Sequence, residues 1–202
     1  MFIHWALREI HLKLVYYGPA LGGKTANLQY IYSKIDPALK GDLVMLKSRE
    51  DRTIFFDFLQ LEVGQIDGKK PKFNLYTVPG QVHYNHTRKV VLNGVDGIVF
   101  VADSQEEMMD ANLDTLLDLE KQLVQQDKTL EEIPWVIQYN KRDLPTAMPV
   151  EDMEKKLNLY GVPSFEAVAT TGQGVFTTVK GIIKQVVASV HSQLGEAQKM
   201  RA

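Results

Sequence analysis

The sequence predicts an α/β fold in which a mostly parallel, six-stranded sheet carries one antiparallel pair at an edge and helices on both faces. Three observations lead to this class. Short apolar runs alternate with longer amphipathic stretches, which is the pattern of right-handed βαβ crossovers. Residues 97–102 and 135–139 are almost continuously apolar, as strands buried on both faces of a parallel sheet are. A polar turn over residues 64–71 joins two further apolar runs into an antiparallel hairpin.

The predicted elements follow from these patterns in chain order. Branched and aromatic residues favour strands, and apolar residues that return every three or four positions favour helices. The predicted strands cover residues 10–17, 54–63, 72–78, 97–102, 135–139 and 165–169. The predicted helices cover residues 24–35, part of the acidic segment 106–127, and 175–194. Residues 1–7 either add a short strand or lie disordered. We expect a single domain over residues 1–195 and a C-terminal tail over 196–202.

Composition excludes several classes of protein. The 202 residues carry a formal net charge of −2, whereas a nucleic-acid-binding domain normally has a basic excess, so we expect no nucleic acid as partner. The absence of cysteine excludes a disulfide framework, a Cys-based zinc site and a thiol nucleophile. Phe2 rules out N-myristoylation, and the lack of cysteine rules out prenylation. We therefore expect a cytoplasmic protein without a lipid anchor.

Residues 18–25 read Gly-Pro-Ala-Leu-Gly-Gly-Lys-Thr and match the phosphate-binding P-loop pattern. A predicted strand precedes this motif and a predicted helix follows it, which is the context that a P-loop requires. Gly18 and Gly23 let successive N–H groups face a phosphate, and Lys24 adds a positive charge. The Thr25 hydroxyl is placed to coordinate Mg²⁺. The candidate phosphate-binding residues are Gly18, Leu21, Gly22, Gly23, Lys24, Thr25 and Ala26.

A second motif selects the base. Residues 140–143 read Asn-Lys-Arg-Asp and follow a predicted buried strand, at the sheet edge where open α/β sheets bind ligands. The Asp143 carboxylate can accept hydrogen bonds from the N1–H and the exocyclic amine of guanine, a donor pair that adenine lacks. Asn140 can bridge the base to the P-loop, and the aliphatic stem of Lys141 can cover one face of the base. An isolated motif of this length would be better explained as a solvated loop, but its place after a P-loop favours guanine.

Three further segments, together with these two motifs, resemble one family. They are residues 52–58 (Arg-Thr-Ile-Phe-Phe-Asp-Phe), 75–81 (Leu-Tyr-Thr-Val-Pro-Gly-Gln) and 166–170 (Glu-Ala-Val-Ala-Thr). From residue 8 to residue 194 the chain resembles the Ras-like small GTPases, and more closely the bacterial MglA-type GTPases of gliding motility and cell polarity. The resemblance implies a P-loop NTPase of the Ras-like small GTPase fold, which binds GTP or GDP together with Mg²⁺.

The resemblance also implies roles for single residues. Thr53 would contribute its hydroxyl to Mg²⁺, and Gly80 would donate its N–H to the γ-phosphate. Gln81 would orient the attacking water, and Ala169 would offer its N–H to guanine O6. Arg52 would be an intrinsic arginine finger, and such fingers accelerate hydrolysis about 10³- to 10⁵-fold. The catalytic candidates are thus Lys24, Arg52, Thr53 and Gln81, and the metal candidates are Thr25 and Thr53.

The main departure from the Ras pattern is Thr77, where most small GTPases have an aspartate that holds a Mg²⁺-bound water. The MglA group shares this threonine, so the departure supports the narrower resemblance. Because threonine carries no charge, we expect weaker retention of Mg²⁺ than with aspartate. A second departure is Val168-Ala169-Thr170, where many relatives have Ser-Ala-Lys; the backbone contact at Ala169 does not depend on it.

Three aromatic residues, Phe55, Phe56 and Phe58, place rings on both faces of a predicted edge strand. In one interpretation, one face belongs to the core and the other lies under a helix. In the other, the strand is an edge that binds a partner, because exposed apolar patches mark interfaces. The resemblance adds a roadblock-fold GTPase-activating partner, MglB-like, that would bind through this region.

The leading hypothesis is a monomeric, GTP-hydrolysing switch that is slow alone and faster when a partner places Arg52 and Gln81. It would present residues 43–58 and 78–90 to polarity or motility effectors and be recruited to a cell pole. The alternative is a GTP-dependent scaffold with little turnover. A P-loop kinase or ATPase is disfavoured by the Asn-Lys-Arg-Asp motif.

Overall fold

The computed structural model describes residues 1–47, 53–80 and 85–199. The strands are β1 Phe2–His4, β2 Glu9–Tyr17, β3 Val44–Lys47, β4 Thr53–Glu62, β5 Lys70–Thr77, β6 Gly97–Asp103, β7 Trp135–Asn140 and β8 Ser164–Glu166. The helices are α1 Lys24–Lys34, α2 Asn85–Leu92, α3 Met109–Val124, α4 Val150–Leu157 and α5 Val175–Lys199. Two short 3₁₀ helices cover Pro37–Leu39 and Glu106–Met108.

The strands form one sheet in the order β3-β4-β5-β2-β6-β7-β8, and β1 pairs with β2 outside this path. Strands β5, β2, β6, β7 and β8 run parallel to their neighbours in the series, whereas β4 is antiparallel to β5. The predicted α/β class and Ras-like architecture are confirmed. The sheet has eight strands rather than the predicted six, because β1 and β3 are additional. The alternative left open for residues 1–7 is decided in favour of an added strand.

The parallel strands carry the functional loops at their carboxyl ends. All residues of β6 and β7 are buried, which explains their continuous apolar sequences. Helices α1 and α5 cover one face of the sheet, and α2, α3 and α4 cover the other. The ends of β2, β6 and β7 therefore meet at one edge of the sheet, where α/β proteins bind ligands.

Strand β4 is not the edge strand that the sequence predicts. Strand β3 pairs antiparallel with it and forms the edge among the described residues. The rings of Phe56 and Phe58 lie 5.5 and 4.9 Å from the ring of Tyr76 on β5, so both pack within the sheet surface. The side chain of Phe55 lies outside the described residues. Phe56 contacts the core, so the interpretation in which the aromatic residues pack against the fold accounts for it. The partner-binding role of this region stays a prediction.

The last helix is longer than predicted, because α5 continues beyond residue 194 to Lys199. The division into a domain over 1–195 and a tail over 196–202 stays a prediction. Across the described residues, every helix is too short or too polar to cross a lipid bilayer.

Candidate functional site

The P-loop connects β2 to α1 and bends sharply at two glycines. Gly18 has φ 142°, and a Cβ there would lie 2.2 Å from the carbonyl oxygen of Val101 on β6. Gly23 has φ 99°, and a Cβ there would lie 2.1 Å from Nδ2 of Asn140. Neither position has room for a side chain, so the loop is packed tightly between β6 and the guanine motif. Between the glycines, Leu21 also adopts a left-handed conformation, with φ 59°.

Helix α1 begins at the end of this loop without a side-chain cap and without an acidic residue in its first turn. The N–H groups of a first helical turn have no partners within the helix, and the helix dipole makes this end positive. The loop and the start of α1, including Ala26, thus form a surface suited to an anion.

Lys24 lies at the centre of this surface and is only 6% exposed. Its Nζ donates hydrogen bonds to the carbonyl oxygens of Gly18, at 2.9 Å, and Pro19, at 2.7 Å. Burial, and after it the positive charge of Arg88, lower the pKa of Lys24 to about 7 against the opposing effect of the negative charge of Asp57. A phosphate placed here would restore the ordinary protonation of the ammonium group, because it supplies the missing counter-charge.

The site contains a buried carboxylate that none of the sequence motifs predicts. Asp57, on β4, is fully buried, and its Oδ2 accepts hydrogen bonds from the hydroxyls of Thr25, at 2.5 Å, and Thr77, at 2.8 Å. The backbone N–H of Asp57 donates in turn to Thr77 Oγ1, at 2.9 Å. An aspartate on the neighbouring strand therefore lies beside Thr77, the position where the Ras pattern has its own aspartate.

One sequence signal points to Asp57. It alternates with Leu59 and Leu61 along β4, and these two side chains are buried on the same face of the strand. A lone carboxylate within such an apolar alternation is uncommon, because a buried charge needs partners. This signal does not identify a partner for Asp57. The pairing of β4 with β5 brings Asp57 next to Thr77 and so shows what the carboxylate binds.

Oxygen atoms dominate this part of the site. The Thr25 hydroxyl and the Asp57 carboxylate are hard ligands of the kind that Mg²⁺ prefers, and Mg²⁺ sites in nucleotide enzymes are completed by phosphate oxygens and water. Among the described residues no three histidine, cysteine or acidic side chains form a metal-binding group. The hydroxyl and carboxylate oxygens present fit a magnesium ion whose other ligands come from a nucleotide and water.

The guanine motif is tied to the P-loop by Asn140, a buried residue at the end of β7. Its Nδ2 donates to the carbonyl oxygen of Gly22, at 2.8 Å. Its Oδ1 accepts from the backbone N–H of Ala169, at 2.9 Å. One side chain therefore joins the three loops that the sequence assigns to the nucleotide.

Two charged residues of the motif lie beside this clamp. Lys141 has φ 64°, and its Nζ lies 2.5 Å from Oδ2 of Asp103, which is buried at the end of β6. This ion pair fixes the end of the lysine side chain at the carboxyl end of β6. Asp143 is exposed, so its carboxylate is accessible to a ligand.

The N–H of Ala169 has a different acceptor from the one expected. The resemblance implies that it reaches guanine O6, whereas in the structure it donates to Asn140. A contact with the base would require a shared hydrogen bond or a small movement of the loop. The predicted contact of Ala169 with guanine stays a prediction.

A second group that the sequence motifs do not predict is Arg88, on α2, which is only 3% exposed. Its Nε donates to the carbonyl oxygen of Pro79, at 3.0 Å, and its Nη2 to that of Gly80, at 2.8 Å. Its Nη1 donates to Oδ2 of Asp118 on α3, at 2.6 Å. Tyr17 donates to the same oxygen at 2.5 Å. One guanidinium group thus connects residues 79, 80 and 118, and Tyr17 joins this network through the Asp118 carboxylate.

This network fixes the segment that precedes residue 81. Although burial alone would raise the pKa of Asp118, the hydrogen bonds from Tyr17 and Arg88 lower it. Gly80 also packs directly on the P-loop, since a Cβ there would lie 2.3 Å from Cα of Ala20. An arginine three residues into a helix gives no specific sequence signal, because most helical arginines are solvated.

Three of the predicted catalytic residues lie at, or just beyond, the borders of the described segments. Arg52 and Gln81 lie outside the described residues. Thr53 is the first residue of β4, where its backbone pairs with Lys47 of β3. The roles of all three stay predictions.

Comparison with known proteins agrees with this geometry. The model of the ADP-ribosylation factor family matches residues 19–188. The Mutual gliding-motility protein MglA of Myxococcus xanthus (strain DK1622) is 55% identical over 189 residues, which cover 94% of this chain and 97% of that protein. Elongation factor 4 of Porphyromonas gingivalis is 29% identical over 127 residues, 61% of this chain and 20% of that protein. Elongation factor 4 of Lactobacillus johnsonii is 26% identical over 151 residues, 73% of this chain and 23% of that protein.

The matches differ in what they support. The elongation factors share a region that is about a fifth of their own length, so their whole activity is not carried over. The family match spans most of the chain, and the similarity to the Myxococcus protein is high along almost the full length of both chains. The chain therefore belongs to the ADP-ribosylation factor family of Ras-like small GTPases and, within it, is an MglA-type small GTPase.

Proposed function

We propose that the protein is a switch that binds GTP or GDP with Mg²⁺ and changes its partners when GTP is hydrolysed. The observation that carries this proposal is the Asn140 clamp, which joins the P-loop at Gly22 to the loop at Ala169. Binding of a base at Asp143 and of phosphates at residues 18–25 would then occur on one preorganised surface. Preorganisation of this kind lowers the ordering cost of binding.

The phosphates would be held by the loop N–H groups, the start of α1 and Lys24. Lys24 already has its ammonium group fixed by two carbonyl oxygens, so little side-chain entropy is lost when a phosphate binds. Leu21, Gly22 and Ala26 would contribute backbone N–H groups. Lys141 would cover one face of the base, and Asp143 would select guanine.

Thr25 and Thr53 would hold the magnesium ion through their hydroxyls, and the Asp57 carboxylate would hold a water bound to the ion. The ion would neutralise charge on the phosphates during hydrolysis. The Thr25 hydroxyl donates to Asp57, and a second group that orients a metal-binding oxygen in this way is a common feature of metal sites. We infer that Asp57 takes over the role of the aspartate that Thr77 replaces, so the expected weakness of Mg²⁺ retention is offset.

Hydrolysis would depend on positioning and electrostatics rather than on a general base. Gln81 would orient the attacking water, and Arg52 would neutralise charge in the transition state. Gly80 would donate its N–H to the γ-phosphate. Arg88 acts on this step indirectly, because it holds the carbonyl oxygens of Pro79 and Gly80 and so fixes the orientation of the adjoining peptide groups.

The biological role follows from the relative. The Myxococcus protein is named for gliding motility, and we propose a role of this class, motility or cell polarity, for the present chain. A roadblock-fold, MglB-like partner would stimulate hydrolysis, and polarity or motility effectors would bind the GTP form. We propose a cytoplasmic monomer that is recruited to a cell pole when its partners lie there.

Single-turnover hydrolysis tests this proposal. The protein is loaded with GTP, and phosphate release is followed with and without a roadblock-type partner. We expect slow release that the partner accelerates, and an Arg52→Ala variant that binds GTP normally but loses most of the acceleration. If the partner stimulates hydrolysis by Arg52→Ala as strongly as by the unchanged chain, Arg52 is not an arginine finger. Binding of GTP without measurable release in either condition would favour the scaffold alternative.

A further inference from the structure

The N-terminal hairpin exposes an unusual set of apolar side chains. Phe2, Trp5 and Leu7 are 61%, 69% and 59% exposed. Single exposed apolar residues are normal on a protein surface, but three within six positions of one hairpin, one of them tryptophan, are an unusual concentration. We call these three residues the hairpin patch. The nucleotide site and the proposed switch mechanism make no use of it.

The hairpin patch is part of the sheet, because β1 pairs with β2. Strand β1 pairs with the first residues of β2, where Phe2 lies opposite His11. Ile3 packs inward against the core face that α1 and α5 cover, so its neighbour Phe2 points away from that face. The ring of Phe2 lies 5.9 Å from the ring of His11.

The turn that carries Trp5 is closed by two hydrogen bonds. The backbone N–H of Arg8 donates to the carbonyl oxygen of Trp5, at 3.2 Å, and the N–H of Leu7 donates to Nδ1 of His4, at 3.3 Å. Arg8 adopts a left-handed conformation, with φ 54°. Trp5 and Leu7 therefore stand on a defined turn at the tip of the hairpin.

Cationic side chains surround this tip. The Lys69 ammonium group lies 5.5 Å above the ring of Trp5. Lys70 and Arg8 are both exposed, and the N–H of Lys70 donates to the carbonyl oxygen of Arg8, at 2.8 Å. Basic residues from two hairpins thus frame one tryptophan.

The acidic residues at this end lie beside nitrogen groups, since Glu9 and Glu62 share Lys72 and Asp67 contacts His191. Glu9 is 3.1 Å from the ammonium group of Lys72, and Asp67 is 3.3 Å from Nδ1 of His191. The charged group in contact with the Trp5 ring is the Lys69 ammonium, and the exposed residue that closes its turn is Arg8.

We propose that the hairpin patch binds the surface of a lipid bilayer that contains anionic headgroups. Tryptophan favours the boundary between headgroups and acyl chains, because its ring is apolar and its indole N–H can bond to water. Phe2 and Leu7 would add apolar area at the same depth, and Arg8, Lys69 and Lys70 would meet the phosphates. Binding to such a surface needs no lipid anchor, which agrees with the absence of cysteine.

The position of the patch suits this role. Strand β2 runs from Glu9, next to the hairpin, to Tyr17, next to the P-loop. At about 3.3 Å per residue the two ends lie roughly 26 Å apart. A chain resting on a bilayer through the hairpin would therefore keep its nucleotide site and the segment at Gly80 turned towards its partners.

Tryptophan fluorescence tests the proposal directly, because Trp135 is only 2% exposed and Trp5 is the tryptophan that meets solvent. The GDP-bound full chain is mixed with vesicles of phosphatidylcholine alone or of phosphatidylcholine with phosphatidylglycerol, and co-sedimentation is measured in parallel. We expect binding and a shift of emission to shorter wavelength with the phosphatidylglycerol vesicles. We expect Trp5→Ala to weaken partitioning at least about tenfold. Lys69→Gln should weaken it about fivefold, and only on the anionic vesicles.

The control is Leu159→Ala, which removes an exposed leucine after α4, 80% exposed and outside the hairpin. It should bind vesicles as the unchanged chain does, and GDP affinity should be the same in all three variants. Absence of binding to phosphatidylglycerol vesicles would overturn the proposal, and so would equal losses in Trp5→Ala and Leu159→Ala. Self-association that Trp5→Ala abolishes, without vesicle binding, would show that a second copy covers the patch instead.

Discussion

Replacement of Asp57 by asparagine tests how the site manages without an aspartate at position 77. Asp57 Oδ2 accepts hydrogen bonds from Thr25, at 2.5 Å, and Thr77, at 2.8 Å. A hydrogen bond to a charged group contributes about 1.5–3 kcal/mol and one between neutral groups about 0.5–1.5 kcal/mol. Asparagine keeps the shape and one acceptor oxygen, so each bond loses about 1 kcal/mol. The total of about 2 kcal/mol corresponds to roughly a thirtyfold change in an equilibrium constant.

We expect this loss to appear in the retention of Mg²⁺ and nucleotide, because ionised Asp57 orients the hydroxyl of Thr25. The assay follows the release of a fluorescent GDP analogue at a series of free Mg²⁺ concentrations. In Asp57→Asn, the concentration that retains half of the nucleotide should rise roughly thirtyfold. The matched control is Asp114→Asn, which removes the same charge from an exposed position on α3 and should change nothing.

The structure also changes what is expected of Thr77→Asp. Because Thr77 Oγ1 lies 2.8 Å from Asp57 Oδ2, a second carboxylate there would meet the first, and like charges at this distance oppose ionisation of both. This variant alone should hold Mg²⁺ poorly, whereas the exchange Asp57→Thr with Thr77→Asp should recover most of the retention. Retention of GDP at wild-type Mg²⁺ concentrations in Asp57→Asn would refute the role given to Asp57.

Three further predictions follow from the clamps around the site. Arg88→Lys keeps the charge but loses the hydrogen bonds to the carbonyl oxygens of Pro79 and Gly80. GTP hydrolysis should therefore slow about tenfold while GDP affinity stays unchanged. Equal losses of hydrolysis rate and of GDP affinity would contradict a positioning role. Asn140→Ala leaves the Gly22 carbonyl and the Ala169 N–H without their partner, so GDP affinity measured by calorimetry should fall at least about thirtyfold, and a smaller fall would mean that the loops hold together without the clamp. The lowered pKa of Asp118 favours its ionised form in the folded state, so this stability is present above the unfolded value of 3.8 and is lost as pH falls below it. Urea unfolding should therefore show Asp118→Asn about 1 kcal/mol less stable at neutral pH, after allowance for its partial exposure, with a difference that shrinks in acid; a difference independent of pH would exclude this linkage.

The sequence predicts the central fold well, because β6 and β7 are apolar throughout and their burial follows directly from composition. It is less informative at the edges of the sheet. Strand β3 is short, and the sequence pattern by itself presents its neighbour β4 as the edge of the sheet. The residues of β1 suit either a strand or a solvated segment. Pairing with β4 and β2 decides both cases, and pairing is a tertiary property.

The site shows the same division. The P-loop and the guanine motif are contiguous, so their residue types predict both the phosphate and the base. Asp57 and Arg88 act across elements: the first needs the register between β4 and β5, and the second needs the packing of α2 against α3. The role of a charged residue in a strand, or of an arginine in a helix, can be assigned only when the residues that it contacts in the fold are known. The acceptor of the Ala169 N–H likewise depends on the rotamer of Asn140.

The comparison of GTP with ATP binding tests the central claim most directly. The claim is that the surface between Lys24, Asn140 and Asp143 recognises a guanine nucleotide, and a site built to satisfy particular donors rejects a base that lacks them by several orders of magnitude. Equilibrium titration of the nucleotide-free chain in Mg²⁺ should therefore give a Kd for GTP at least about a thousandfold below that for ATP. Affinities within about tenfold of each other, or a preference for ATP, would contradict the account.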